Sequence, residues 1–202
     1  MPKGPERLRR YWLATGPRRR LTKELGPFVG RLSGLVLDVG GGRRADHDAA
    51  WGPNAHRIRL DISASHRPDV CADAQSLPIA DGSVDAITMF EVLEHIADPF
   101  AAAREAHRAL VEGGTFLGSA PFVWPIHGDP FDYFRFSADG LRSLLAPFAD
   151  VRVRPLGNAL GAAWVLIASR SRAARTLNPV FRGLGSRPDE RCPQAYIFIA
   201  TK

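Results

Sequence analysis

Short apolar runs alternate with stretches of helical periodicity from Leu35 to the end of the chain. Helices are predicted at about 98–111, 137–148 and 159–176. The apolar runs predict seven strands, which are LVLDVG (35–40), HRIRLDI (56–62), DVCAD (69–73), VDAITMF (84–90), TFLGSAPF (115–122), VRVRPL (151–156) and YIFIATK (196–202). Alternation of helices with nearly continuous apolar strands predicts an α/β fold with a mostly parallel sheet covered by helices on both faces.

The N-terminal residues differ from this pattern in both periodicity and charge. They predict a basic amphipathic helix or pair of helices, interrupted by the Gly-Pro pair at 16–17. Nine Lys or Arg residues lie in this stretch against two Glu, so the rest of the chain is nearly neutral although the net charge is +6. We therefore separate a basic helical segment, 1–31, from a domain at 32–202. The segment is compatible with a solvated surface, with a lid that uses Tyr11 and Trp12, or with peripheral contact to an anionic membrane or nucleic acid.

Length and composition restrict the class of protein. The chain has 202 residues, 45% of them hydrophobic and 24% charged, as in one globular domain. The longest apolar run, 160–168, is too short to span a membrane, and no signal-peptide pattern follows the basic N-terminus. Cys71 and Cys192 are too few for a disulfide framework, so we expect a cytoplasmic location. No metal site is predicted, because the sequence lacks His-rich or Cys-rich spacing.

Acidic and glycine residues lie at the ends of the first four strands. Ligands of such folds bind beside the carboxyl ends of the strands, near the point where strand order reverses. Glycine permits a sharp turn and a close approach of the backbone to a ligand. An acidic side chain at the end of the second strand can accept hydrogen bonds from both ribose hydroxyls. The residues concerned are Asp38, Gly40, Gly41 and Gly42 at the end of the first strand, Asp61 and Ile62 at the end of the second, Asp73 and Ala74 at the end of the third, and Phe90 and Glu91 at the end of the fourth.

Two cofactor classes fit this arrangement. The stretch from Gly40 to Ala45 satisfies the dinucleotide pattern G-x-G-x-x-G/A, and Asp61 stands at a suitable distance for NAD. Against NAD, Arg43 and Arg44 follow the glycines, and acidic residues end three successive strands, which disfavours a pyrophosphate. The chain also lacks room for a separate substrate domain of the dehydrogenase kind.

The stretches VLDVGGG (36–42) and ADAQSLPIADGSVDAITMFEVLEHIADP (72–99), with Asp61 between them, together resemble class I methyltransferases of the methyltransferase-11 type. The resemblance covers about 36–120 and departs from the family at Arg44, where many members have glycine. It implies a single Rossmann-like domain with a seven-stranded sheet of order 3-2-1-4-5-7-6, the last strand antiparallel. It also implies S-adenosylmethionine as the cofactor.

Residue roles follow from the same resemblance. The glycine loop with Asp38 is expected to position the amino acid part of the cofactor, and Asp61 its ribose. Asp73 and Ala74 are expected at the adenine, with the other strand-end residues lining the site. For Glu94 and His95, which follow the fourth strand, we expect packing or capping.

A long aromatic segment, APFVWPIHGDPFDYFRFS (120–137), follows the fifth strand and is predicted to form a structured loop over the strand ends. It resembles a signature of small bacterial methyltransferases associated with glycan or lipid-linked sugar synthesis. Histidine as a residue type titrates near neutrality, and His127 is our candidate general base toward a hydroxyl, oriented by Asp129 or Asp132. Tyr133 is a further candidate at the catalytic site. Alternatively, Asp132, Tyr133 and Arg135 form an internal network that only rigidifies the loop.

The leading hypothesis is therefore O-methylation of a sugar, lipid-linked or small-metabolite hydroxyl. A nucleic-acid methyltransferase is disfavoured, because the fourth strand ends in MFEV and lacks the N/D-P-P-Y type of sequence that grips a base nitrogen. An NAD-dependent oxidoreductase and a cofactor-binding module without catalysis are the alternatives from other classes.

Overall fold

The computed structural model describes residues 16–41, 51–128, 130–170 and 187–202, which form one α/β domain around a seven-stranded sheet. The strands are β1 (Gly34–Val39), β2 (Ala55–Asp61), β3 (Val70–Cys71), β4 (Val84–Phe90), β5 (Leu110–Pro121), β6 (Asp150–Leu156) and β7 (Ala195–Thr201). The helices are α1 (Gly16–Val29), α2 (Pro99–Ala109), α3 (Ala138–Leu144) and α4 (Ala159–Arg170). None of the helices in these ranges is both long and apolar enough to cross a membrane.

The strand order is β3-β2-β1-β4-β5-β7-β6, which confirms the predicted topology. Strands β1 to β5 pair in parallel, whereas β7 runs antiparallel to both of its neighbours. The carboxyl ends of β1 to β5 therefore meet at one edge of the sheet, which we call the carboxyl edge. Strand order reverses between β1 and β4, and that point is where ligands of such sheets bind.

Two apolar cores lie on opposite faces of the sheet, because successive strand residues point to opposite sides. In β5, Phe116 packs with the larger core, which includes apolar residues of α2 and α3. Its neighbour Leu117 packs with the smaller core, which includes α1. Helices thus cover both faces, as predicted.

Helix α1 contributes directly to the smaller core. Leu21, Leu25 and Val29 are spaced four residues apart, lie on one helix face and are buried. Gly16 and Pro17, where an interruption was predicted, are the first described residues of this helix. Tyr11 and Trp12 lie outside the described residues, and the division of the chain at residue 31 stays a prediction.

Several predicted boundaries shift. The helix predicted at about 98–111 ends at Ala109, and β5, predicted at 115–122, starts at the next residue. Pairing of Leu110 with Val84 explains the early start of β5, since pairing with a distant strand overrides the local pattern. Strand β3 has only two residues, whereas five were predicted. Helix α4 is described as far as Arg170, and the predicted continuation to 176 lies outside the described residues.

Candidate active site

The end of β1 forms a turn that only glycine fits. Gly40 has a φ of +73°, and a Cβ there would also overlap Val92. A Cβ on Gly41 would overlap a carboxylate oxygen of Asp38. The backbone of this turn therefore carries no side chain and lies close to the Asp38 side chain. A ligand can approach such a backbone closely. Gly42, the third predicted glycine, lies outside the described residues.

Asp38 is buried and held by two long-range contacts. Its Oδ1 accepts a hydrogen bond of 2.7 Å from Thr88 Oγ1 on β4, and its Oδ2 one of 2.9 Å from Arg57 Nε on β2. Trp51 supports Arg57 in turn, with the guanidinium carbon 4.9 Å from the ring centroid. Asp38 thus ties together three adjacent strands beneath the glycine turn, and sequence reasoning missed its partners.

At the end of β2, Asp61 is buried with its carboxylate oriented by local contacts. Oδ1 accepts a hydrogen bond of 2.8 Å from the Ser63 amide, and Oδ2 lies 3.0 Å from His66 Nδ1. Each oxygen retains a second lone pair for a ligand hydroxyl. The next side chain, Ile62, is 62% exposed and presents an apolar surface at the same edge.

At the end of β3, Asp73 and Gln75 connect the carboxyl edge to helix α2. Asp73 Oδ1 accepts hydrogen bonds from the Gln75 amide (2.9 Å) and side chain (3.1 Å). Gln75 Oε1 accepts one of 2.9 Å from the Asp98 amide, beside the helix N-cap. Ala74 packs into the larger core, so only its backbone can face a ligand.

Strand β4 ends at Phe90, which packs against the smaller core, and the next residue adopts an unusual backbone conformation. Glu91 has a φ of +57°, a region that costs a non-glycine residue about 1 kcal/mol or more. Its amide donates to the Ser119 carbonyl at 3.0 Å, and its Oε1 accepts from Ser119 Oγ at 2.8 Å. These contacts fix the position of Glu91 against β5, at the carboxyl end of β4.

The aromatic loop after β5 is braced by Arg135. This guanidinium pairs with Asp132 and also donates to the carbonyls of Trp124 (3.2 Å) and Pro125 (3.1 Å). Burial by itself would raise the pKa of Asp132, but hydrogen bonds from Arg135 and from the His127 amide lower it to about 2. Two members of the internal network considered from the sequence, Asp132 and Arg135, are thus paired, with Asp132 as a positioning residue. Asp129 lies outside the described residues.

Aromatic side chains of this loop stand at the surface. Phe131, Tyr133 and Phe134 are 59%, 48% and 37% exposed, and their rings contact one another in sequence. Tyr133 is anchored by its backbone, which donates a hydrogen bond of 2.7 Å to the Glu94 carbonyl. Its phenol ring is thus presented outward on a fixed backbone.

His127 is turned inward from the same loop. Its Nδ1 lies 3.1 Å from the Pro125 carbonyl and 3.3 Å from Asp132 Oδ2. Burial and the neighbouring imidazole of His95, 5.0 Å away between ring centroids, lower the pKa of His127. The neutral imidazole is therefore favoured, as a general base requires.

Glu94 was expected to serve packing or capping together with His95, and the structure buries it without placing it at the cap of α2. The helix that follows is capped by Asp98, whose Oδ1 accepts from the Ala101 amide. Glu94 is fully buried, and among the described residues neither of its carboxylate oxygens has a hydrogen-bond partner. Burial and the charge of Glu91 raise the pKa of Glu94 well above its usual value.

Two imidazole nitrogens face this carboxylate. Glu94 Oε1 lies 3.6 Å from His95 Nε2 and 3.8 Å from His127 Nε2. We call these three residues the Glu94 cluster. Glu94 follows β4 and His127 follows β5. The predicted strand order, which places these two strands side by side, was the signal that could have indicated their proximity.

Comparison with known proteins identifies the fold and the domain. A family model described as "Methyltransferase domain" matches residues 37–118. Two curated relatives are named demethylmenaquinone methyltransferase. The one from Corynebacterium urealyticum is 33% identical over 99 residues, covering 45% of this chain and 43% of its own length. The one from Renibacterium salmoninarum is 32% identical over 130 residues, covering 59% and 54%.

The chain thus spans about half the length of these curated relatives. Among solved structures, a SAM-dependent methyltransferase from Archaeoglobus fulgidus superposes with a TM-score of 0.64 at 18% identity, covering 92% of this chain and 94% of that one. At that identity the likeness establishes the fold. The chain therefore has the fold of that methyltransferase, and its residues 37–118 match the family model described as a methyltransferase domain.

Proposed function

We propose that the chain is an enzyme that binds S-adenosylmethionine at the carboxyl edge and methylates a hydroxyl of a sugar, lipid-linked or small-metabolite acceptor. The observation that carries the proposal is the glycine turn after β1 with buried or oriented carboxylates at the next two strand ends. This set lies within the matched methyltransferase domain. Three carboxylates beside the ligand also favour this cofactor over NAD, whose pyrophosphate they would repel.

The residues at the carboxyl edge suit each part of the cofactor. Asp61 retains lone pairs for the two ribose hydroxyls, and the exposed Ile62 side chain offers an apolar surface to the adenine. Asp73 would accept a hydrogen bond from the adenine amine. The bare turn at Gly40 and Gly41, which a Cβ would fill, admits the amino acid part against the backbone.

When bound, S-adenosylmethionine supplies an electrophilic methyl group. The protein contributes orientation of the acceptor, which provides most of the acceleration in such a displacement, and a place for the acceptor's proton. His127 donates its Nδ1 hydrogen toward Pro125 and Asp132, so its Nε2 carries the lone pair that accepts this proton. Asp132 and Arg135 hold the loop that presents His127.

A second acceptor class is favoured by a specific feature. The exposed rings of Phe131, Tyr133 and Phe134 offer a surface for an aromatic or isoprenoid acceptor. Two curated relatives are named demethylmenaquinone methyltransferase. Methylation of a quinone-type acceptor is therefore the second candidate.

The experiment that tests the proposal is a methyl-transfer assay with isotopically labelled S-adenosylmethionine and three acceptor sets: sugars, lipid-linked sugars and demethylated quinones. We expect the label to be transferred to a hydroxyl-bearing acceptor, and we expect NMR of the product to show the methyl group on oxygen. Label on a ring carbon of the quinone set would replace the first candidate by the second. Tight cofactor binding without transfer to any set would favour a non-catalytic module.

A further inference from the structure

The Glu94 cluster joins a carboxylate and two imidazoles that come from two different loops. One ligand atom from each of Glu94, His95 and His127 lies within 4.8 Å of the others. All three atoms lie at the carboxyl edge between β4 and β5, and Val92, two residues before Glu94, contacts the turn at Gly40. The cluster therefore adjoins the proposed cofactor site.

Contacts on the far side of each ring determine the tautomers. His95 Nδ1 lies 2.5 Å from the Phe131 carbonyl oxygen, and His127 Nδ1 lies 3.1 Å from the Pro125 carbonyl oxygen. A carbonyl oxygen can only accept, so each Nδ1 carries the hydrogen and each Nε2 carries a lone pair. Metal-binding histidines are typically held in this way, with the second ring nitrogen donating to a carbonyl or carboxylate.

Glu94 Oε1 and the two Nε2 atoms, each with a lone pair, consequently face one another in a largely buried site. Glu94 is fully buried, and within the described part of the chain neither of its carboxylate oxygens has a hydrogen-bond partner, an arrangement that costs free energy. A single proton on Glu94 can satisfy only one of the two imidazoles. A cation placed between them satisfies all three atoms at once.

We propose that Glu94, His95 and His127 bind a divalent transition-metal ion, with Zn²⁺ as the best match to two imidazoles and a carboxylate. Ligand bonds of about 2.0–2.2 Å in a tetrahedral site place donor atoms roughly 3.4 Å apart. The two separations from Glu94 Oε1, 3.6 and 3.8 Å, need to shorten by only a few tenths of an ångström, and all three ligand atoms lie within 4.8 Å of one another. Three charged neighbours act on Glu94: the carboxylates of Glu91 and Asp132 favour a cation in the cluster, and the guanidinium of Arg135 opposes one.

Three protein ligands leave the fourth position of such an ion open, as in catalytic zinc sites. The His95 and His127 side chains are 17% and 13% exposed, so the open position is reachable from solvent. An acceptor hydroxyl bound there would release its proton to solvent more readily. In the loaded protein His127 then holds the ion instead of accepting the proton. This role in transfer rests on the proposed function, whereas binding of the ion does not.

The test is titration of the untagged, chelator-treated full chain with Co²⁺, followed by competition with Zn²⁺. We expect one equivalent of Co²⁺ to bind with the visible absorption of a four- or five-coordinate site, and Zn²⁺ to displace it. Glu94→Gln and His127→Gln should each weaken Co²⁺ binding by at least about tenfold. The matched controls His56→Gln, at an exposed histidine, and Cys71→Ser, at an exposed thiol, should leave it unchanged.

Two results would overturn the proposal: no stoichiometric binding by the intact chain, or binding that survives both cluster substitutions. If Glu94→Gln fails to fold, His95→Gln replaces it, and ¹⁵N shifts of the two Nε2 atoms on adding Zn²⁺ report coordination directly. Titration with S-adenosylhomocysteine in the same samples separates the two proposals. Normal binding of that compound without metal binding rejects the metal site alone.

Discussion

The carboxyl ends of β1 to β3 and the Glu94 cluster both place acidic side chains at the same edge of the sheet. The two regions differ in whether the protein supplies hydrogen-bond donors to those carboxylates. Asp38, Asp61 and Asp73 each accept hydrogen bonds from nearby protein groups. Glu94 is the more deeply buried and has no such partner among the described residues. Satisfied carboxylates form a preorganised binding surface, whereas an unsatisfied one marks a place where a proton or a cation must be supplied.

The largest expected effect separates chemistry from cofactor binding. His127→Ala should lower kcat by about 10²–10⁴-fold, the usual contribution of a positioned base, while affinity for S-adenosylhomocysteine stays near that of the unmodified chain. Steady-state kinetics and calorimetry on the same preparation measure both quantities. His56→Ala is the control, since this exposed histidine on β2 is outside the cluster. Near-normal turnover by His127→Ala would remove His127 from the mechanism.

The next effect concerns the carboxyl edge alone. Asp61→Ala should weaken S-adenosylhomocysteine binding by roughly 10–100-fold, because a hydrogen bond to a charged group contributes about 1.5–3 kcal/mol. Asp69→Ala is the matched control, since Asp69 lies close by but pairs with Arg59 at the surface. Calorimetric titration measures both variants. Equal losses in the two variants would indicate a general effect of charge on binding.

A moderate effect is expected on stability. Asp132→Asn should lower the free energy of unfolding by about 1–3 kcal/mol, since it leaves the Arg135 guanidinium without its charged partner. The folded-state pKa of Asp132 is about 2, below its usual value, so its contribution is complete above about pH 4 and disappears as the pH falls toward 2. Urea unfolding at several pH values measures this difference. A variant whose loss of stability persisted unchanged at pH 2 would contradict the assignment.

The smallest effect is a displacement of the pH profile. Because burial and His95 lower the pKa of His127, the acid limb of kcat/KM should lie below pH ~6.5, the value of an unperturbed histidine. His95→Gln removes the neighbouring imidazole and should move the limb upward. A limb at or above the unperturbed value in the unmodified chain would mean that another group titrates.

The residues of the carboxyl edge could be predicted from the sequence because the patterns that mark them are local. Glycines after β1 and acidic residues at the following strand ends recur at fixed places in an alternating pattern, and the family resemblance ordered the strands. The start of β5 was not predictable in this way, since it depends on pairing between Leu110 and the distant Val84.

The Glu94 cluster was not predicted from the sequence for the same reason, because it also depends on contacts between residues that are distant in the chain. Glu94 and His127 are separated by more than thirty residues, and the burial of Glu94 depends on how the aromatic loop folds back onto it. The partners of Asp38 are also non-local, with Thr88 fifty residues away. Contacts of this kind follow from the packed fold, so local pattern and spacing do not reveal them.

The central claim is that the carboxyl edge binds S-adenosylmethionine. Calorimetric titration of the full chain with S-adenosylhomocysteine, beside NAD⁺ and NADH, tests it most directly. We predict micromolar binding of S-adenosylhomocysteine alone, weakened by Asp61→Ala and retained in Asp69→Ala. Binding of a nicotinamide cofactor in its place would contradict the account and favour an oxidoreductase.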